Sequence, residues 1–104
     1  MPDVNEKSTA YLTVSFYDKD NNLAVPTSAT WQVHDIKTSQ ELQAETSITP
    51  IASQVELILT PAINVILNQR RKEEERRVTI KSVSSDGGAN AEFDYNVINL
   101  EYVA

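Results

Sequence analysis

The chain has no cysteine, so neither a disulfide nor a thiolate metal site can form. Glycine is reduced to two residues, and histidine and tryptophan to one each. A lone histidine without cysteine leaves no His/Cys metal cluster and no thiol nucleophile. No serine stands in a G-x-S-x-G context, which removes the usual hydrolase elbow. There is no apolar run of about 18 residues and the first ten residues are polar, so neither a membrane-spanning helix nor a secretory leader is expected.

What remains is an ordinary globular composition in 104 residues, 40% apolar and 23% charged, which fits one domain with one core. Without covalent staples, such a domain depends on its core or on partner contacts for stability. The net charge is −6 and unevenly spread. Residues 70–77, RRKEEERR, hold five basic and three acidic side chains, a local charge of +2 that leaves −8 on the rest. An acidic body disfavours general nucleic-acid binding, which relies on neutralising phosphates.

The dominant periodicity is two. In residues 9–17, Leu12, Val14 and Phe16 share one face, with Thr13, Ser15 and Tyr17 on the other. Residues 18–22, DKDNN, form a turn of the Asp/Asn type. A short strand is expected over 23–25, ended by Pro26. Next comes PTSATWQVHD, residues 26–35, where Trp31 and Val33 alternate with Gln32 and His34. A single large aromatic ring is the natural centre of a small core. Trp31→Ala should then cost about 3–5 kcal/mol.

Residues 41–49 pattern weakly and read as an edge strand. Residues 54–60 pattern strongly, with Val55, Leu57 and Leu59 on one side. Thr60 followed by Pro61 resembles a helix cap, and Ile63, Ile66 and Leu67 have helical spacing, so a short helix is expected there. Residues 68–75 should be an exposed loop, and 76–83 a strand with Val78 and Ile80 inward. A glycine turn, SSDGGAN, spans 84–90. The last strand, 92–103, changes phase after Val97: either a β-bulge near Val97 and Ile98 restores inward packing, or the chain crosses there to a second contact surface.

The expected fold is therefore all-β: a single immunoglobulin-like β-sandwich of about seven strands, residues 9–104, with one short helix in a connection. Residues 1–8 are expected to be a polar N-terminal arm. The stretches TVSFYDKDNNLAVPTSATWQVHD, AINVIL and RRVTIK together resemble small immunoglobulin-like or fibronectin-III-like proteins of tailed-bacteriophage virions. That family pattern has an alternating strand, an Asp/Asn turn, a proline, a tryptophan strand with a trailing aspartate, a short helix and a penultimate strand. The usual glycine of the first turn is replaced here by Asn21-Asn22. The resemblance implies a virion component, either capsid decoration or a neck or tail accessory.

Candidate sites are few. Asp18, Asp20 and Asn22 match the opening of a calcium loop, but Leu23 and Ala29 stand where its glycine and bidentate glutamate belong. A hairpin turn is the better reading, with no metal required. His34 beside Asp35 lacks a nucleophile and reads as a solvated strand residue. Arg70, Arg71, Arg76 and Arg77 are the polar interface candidates, since arginine favours interfaces and bidentate pairing. Tyr11 and Tyr17, outward on the first strand, are the aromatic ones.

The functional expectation is a non-enzymatic structural protein of a virion, without cofactors. Its partners are other virion proteins (capsid, neck or tail subunits) or copies of itself, not nucleic acid or membrane. The alternative is a carbohydrate- or cell-surface-binding β-sandwich module. Such sites need exposed aromatics beside polar groups, and few of this chain's aromatics lie off the core phase.

Overall fold

In the computed structural model, residues 2–84 and 87–102 are described. They form two β-sheets and no helix. Seven strands follow in chain order: β1 (Asp3–Asn5), β2 (Ala10–Ser15), β3 (Ser28–Asp35), β4 (Glu41–Ser47), β5 (Gln54–Leu59), β6 (Glu73–Ser84) and β7 (Gly87–Ile98). One sheet has five strands in the order β1-β7-β6-β3-β4, and the other pairs β2 with β5. All pairings are antiparallel except β1 with β7.

Alternation places the core between the sheets. Val33, Val78 and Val97 are completely buried, and Leu57, Leu59, Phe16 and Ile80 close around them. Trp31 is only partly buried against this cluster, so the centre lies two residues further along β3, at Val33. The edge position expected for residues 41–49 is where β4 lies.

The predicted helix over residues 61–67 does not form, and the reason is tertiary. Thr60 C=O accepts from Ile63 N–H (3.0 Å) and Asn64 N–H (3.2 Å), which makes a single turn. The groups that would extend it are committed elsewhere. Asn64 C=O accepts from Lys7 N–H, Val65 C=O from the Arg76 guanidinium, and the N–H groups of Leu67 and Asn68 go to the Glu74 carboxylate. The helical spacing still buries Ile63 and Ile66.

Three further expectations change. The N-terminal arm is not free: β1 pairs with the end of β7, Pro2 C=O accepts from Asn96 N–H, and Glu6 N–H donates to Ile98 C=O. The strand expected over 23–25 reduces to one bridge, between Tyr17 and Leu23. The bulge expected at Val97 and Ile98 is absent: β6 and β7 pair in one register from Glu73↔Ile98 to Ser84↔Gly87. The strand simply ends, leaving Leu100 and Tyr102 beyond it and exposed. Register shifts occur instead between β3 and β4. Of the predicted glycine turn, Ser85 and Asp86 lie outside the described residues, as does Val103 of the predicted last strand; Gly87 has φ 113°, a conformation that suits glycine.

Strand length sets the shape. Twelve-residue strands β6 and β7 span about 40 Å, whereas six-residue β2 and β5 span about half that. The molecule is accordingly elongated, 51 × 21 × 20 Å, and the short sheet roofs only part of the long hairpin.

Candidate interaction surface

The root of the β6–β7 hairpin is locked by buried polar side chains. Arg76 is fully buried on β6, in phase with Val78 and Ile80. Its Nη1 donates to Asp35 Oδ1 at 2.7 Å and its Nη2 to Glu74 Oε1 at 2.9 Å. Glu74 also accepts from Leu67 N–H (2.8 Å) and Asn68 N–H (3.0 Å). Asp35 Oδ2 accepts from both the backbone N–H and the hydroxyl of Thr38. Arg71 completes the charge balance, 3.6 Å from Glu74 and 3.9 Å from Asp35. Two carboxylates and two guanidinium groups thus neutralise one another under the 60–72 crossover. Among the described residues, Arg76 Nε is the one side-chain nitrogen or oxygen buried without a hydrogen-bond partner.

A second polar knot lies beside it. Tyr95, on β7, donates its hydroxyl to Asn64 Oδ1 at 2.7 Å. Asn64 Nδ2 donates to the carbonyls of Ser8 (2.8 Å) and Leu59 (3.2 Å), which ties the crossover to both sheets. Burial pushes the Tyr95 phenol up to about 12, against the opposing pull of the Arg76 charge. Asn99 donates to the carbonyls of Gln69 and Arg71 and closes the same end.

The five basic residues of 70–77 therefore do not form one patch. Arg76 points into the core and Arg71 leans over the same acids. Arg77, one residue on, faces the opposite side of the sheet and grips Asp94 through Nε (2.9 Å) and Nη2 (3.1 Å). That hydrogen bond holds the Asp94 carboxyl below its ordinary value, and Asp94 in turn raises the Arg77 guanidinium. Arg70 lies exposed in the connecting loop. The outer face of the five-stranded sheet continues as ion pairs, Arg77 with Glu92 and Lys81 with Glu45, and the His34 ring lies 3.6 Å from the Glu41 carboxylate.

The inward roles of Arg76, Asp35 and Tyr95 are readable from strand parity: Arg76 matches Val78, Asp35 matches Val33, and Tyr95 matches Val97. Their charge or hydroxyl hid that. Asn64 gave no sequence signal, because its partners come from three separate segments.

At the hairpin tip, burial fades. Ala89 and Ala91 face inward by parity yet are exposed, and Ser82 and Ser84 are half-buried. An open cleft of about 410 Å³ lies between this inner face and the end of β2, lined by Val14, Phe16, Tyr17, Ile80, Ala89 and Ala91 among others. Tyr17 stands exposed at the cleft, beside Leu23 and Val25, which are also exposed. Tyr11 is exposed on the outer face of the short sheet opposite Ile58, away from the cleft that Tyr17 lines. The turn at residues 18–22 is held by Asp18 Oδ1, which accepts from the N–H groups of Asp20 and Asn22. Among the described residues, no group of three or more His, Asp and Glu is placed to hold a metal ion.

Comparison with protein-family models, with curated proteins and with solved structures found no match to this chain.

Proposed function

We propose that this chain is a non-enzymatic module with an immunoglobulin-like sandwich, working through protein–protein contacts as a structural part of a tailed-phage virion. The observation that carries the fold reading is the strand arrangement. A β7-β6-β3 sheet extended by β4 on one side, facing a sheet that contains β2 and β5, corresponds to the G-F-C-C′ and B-E groupings of variable-type domains. The virion role rests on the resemblance carried by residues 13–35, 62–67 and 76–81. A rigid, charge-neutralised root and an exposed tip suit a part that is held in place and presents a surface.

The test is mass spectrometry of purified particles from a phage carrying this gene. The chain should be present at a fixed ratio to the major capsid or tail subunit; its absence from infectious particles overturns the role. One observation favours the carbohydrate-binding alternative, namely Tyr17 beside Asp18, Asp20 and Asn90 at the cleft. Glycan binding that disappears in Tyr17→Ala would decide for it.

A further inference from the structure

The two-stranded sheet leaves a free edge on each side, and that of β2 is the less guarded. Phe16 N–H donates to Ser53 C=O, which continues the β2–β5 register. In an antiparallel pair, backbone groups alternate between the partner and the outside. The even-numbered residues of β2 therefore bond to β5, and Tyr11, Thr13 and Ser15 turn their N–H and C=O groups to the free edge. None of these six groups has a backbone partner among the described residues.

Natural sheet edges are protected by charge, proline, bulges or shortness. Here β1 is three residues long after Pro2, β4 carries Glu41, Glu45 and two register shifts, and β5 has Glu56 at its middle. β2, AYLTVS, has no charge, no proline and no bulge.

Beside this edge the inner face of the opposite sheet is open at the hairpin tip. Two strands cannot cover five, and the gap is left where Ala89 and Ala91 stand exposed. Part of that gap lies over β7, because Ala89 and Ala91 line the same cleft as Val14 and Tyr17. β1 covers only Asn96–Ile98 of β7. The slot has an unpaired strand as its wall and small side chains as its floor.

We propose that this slot is a strand acceptor: one extended segment of a second polypeptide adds to the free edge of β2 and lies over the inner face of the β6–β7 tip. This deepens the contact-module reading and rests on it for the existence of a partner. Backbone pairing supplies affinity, and the floor selects small or medium apolar side chains at alternate positions of the segment. Asp18 and Asp20 outnumber Lys19 at the cleft, on a chain of net charge −6, and favour lysine or arginine at its ends. A second copy is the wrong occupant. Joining two β2 edges would drive each copy's overhanging β7 and β1 into the other's sandwich, whereas a single strand is thin enough to enter.

The experiment selects binders from a displayed library of linear peptides against the purified full chain, and maps them by amide chemical shifts. Selected peptides should alternate apolar and polar residues, and should shift and protect the amides of Tyr11, Thr13 and Ser15. Thr13→Pro removes a donor from the free edge of β2 and should weaken binding by about tenfold or more. Glu56→Pro does the same at the free edge of β5 and should leave binding unchanged. Both variants must keep a folded spectrum; if Thr13→Pro unfolds, N-methylation within the peptide tests the same bonds from the other side. Binders that map elsewhere, binding indifferent to Thr13→Pro and to N-methylation, or a dimer of the free chain broken by Thr13→Pro each overturn the proposal. Loss of the virion role with β2-edge binding intact, or the reverse, separates this proposal from the functional reading.

Discussion

The root and the tip of the β6–β7 hairpin come from the same two strands in one unbroken register, yet opposite things cover them. At the root, the inward positions are Glu74, Arg76, Tyr95 and Val97, all buried beneath the 60–72 crossover. At the tip they are Ser82, Ser84, Ala89 and Ala91, which face an open cleft. The difference does not come from the hairpin's backbone pairing, which is the same at both ends. It comes from what the rest of the chain reaches: the short sheet and the crossover roof one half and stop. The root is where stability is held, and the tip is where the proposed partner segment would lie.

The largest test of that contrast is a pair of neighbours. Arg76→Ala should cost about 3–5 kcal/mol, because Asp35 and Glu74 stay buried without their counter-charge. Arg77→Ala, on the outer face, should cost far less despite its two-pronged bond to Asp94, because solvent screens that pair. Equal losses in urea unfolding would break the distinction. Trp31→Ala should fall between them, at about 2–3 kcal/mol, since the ring is only partly buried; a value above that range would restore Trp31 as the centre of the core.

Tyr95 sharpens the account of the root. Tyr95→Phe leaves the buried Asn64 Oδ1 without its donor and should cost about 1–3 kcal/mol. The phenol also gives a pH signature. Its value is raised from 10.0 to about 12 in the fold, so its contribution is complete below pH 10 and is lost as pH rises toward 12. Wild type should therefore lose about 2–3 kcal/mol more than Tyr95→Phe across that window, and parallel pH profiles would contradict the buried phenol. The smallest effect belongs to the tip: Val83→Ser, at an exposed position, should change stability by no more than about 0.5 kcal/mol.

Most strands were legible because their apolar residues alternate on one face, as in Leu12, Val14 and Phe16 or Val55, Leu57 and Leu59. β1 was not, because its single apolar residue, Val4, gives no period, and what forms it is backbone pairing with β7. The helix expected from Thr60, Pro61 and Ile63 lost to groups distant in sequence, above all Glu74 and Arg76. RRKEEERR reads as a solvated run only while charge is weighed before parity; in register with Val78, its Glu74 and Arg76 belong to the core. Of the surface candidates, Tyr11 and Tyr17 are exposed, whereas Arg76 is withdrawn from any surface. The open cleft had no signal at all, since it depends on the unequal lengths of strands in two different sheets.

Native-state hydrogen exchange, read residue by residue, tests the central claim most directly, because it measures opening free energies along one hairpin. Amides of β6 and β7 near Arg76 and Tyr95 should exchange only through global unfolding. Paired amides near Ser82 and Ala89 should exchange through local opening, at least about 2 kcal/mol more readily. Protection that is uniform from root to tip, or that is greatest at the tip, would contradict the division of the molecule into a locked end and an open one.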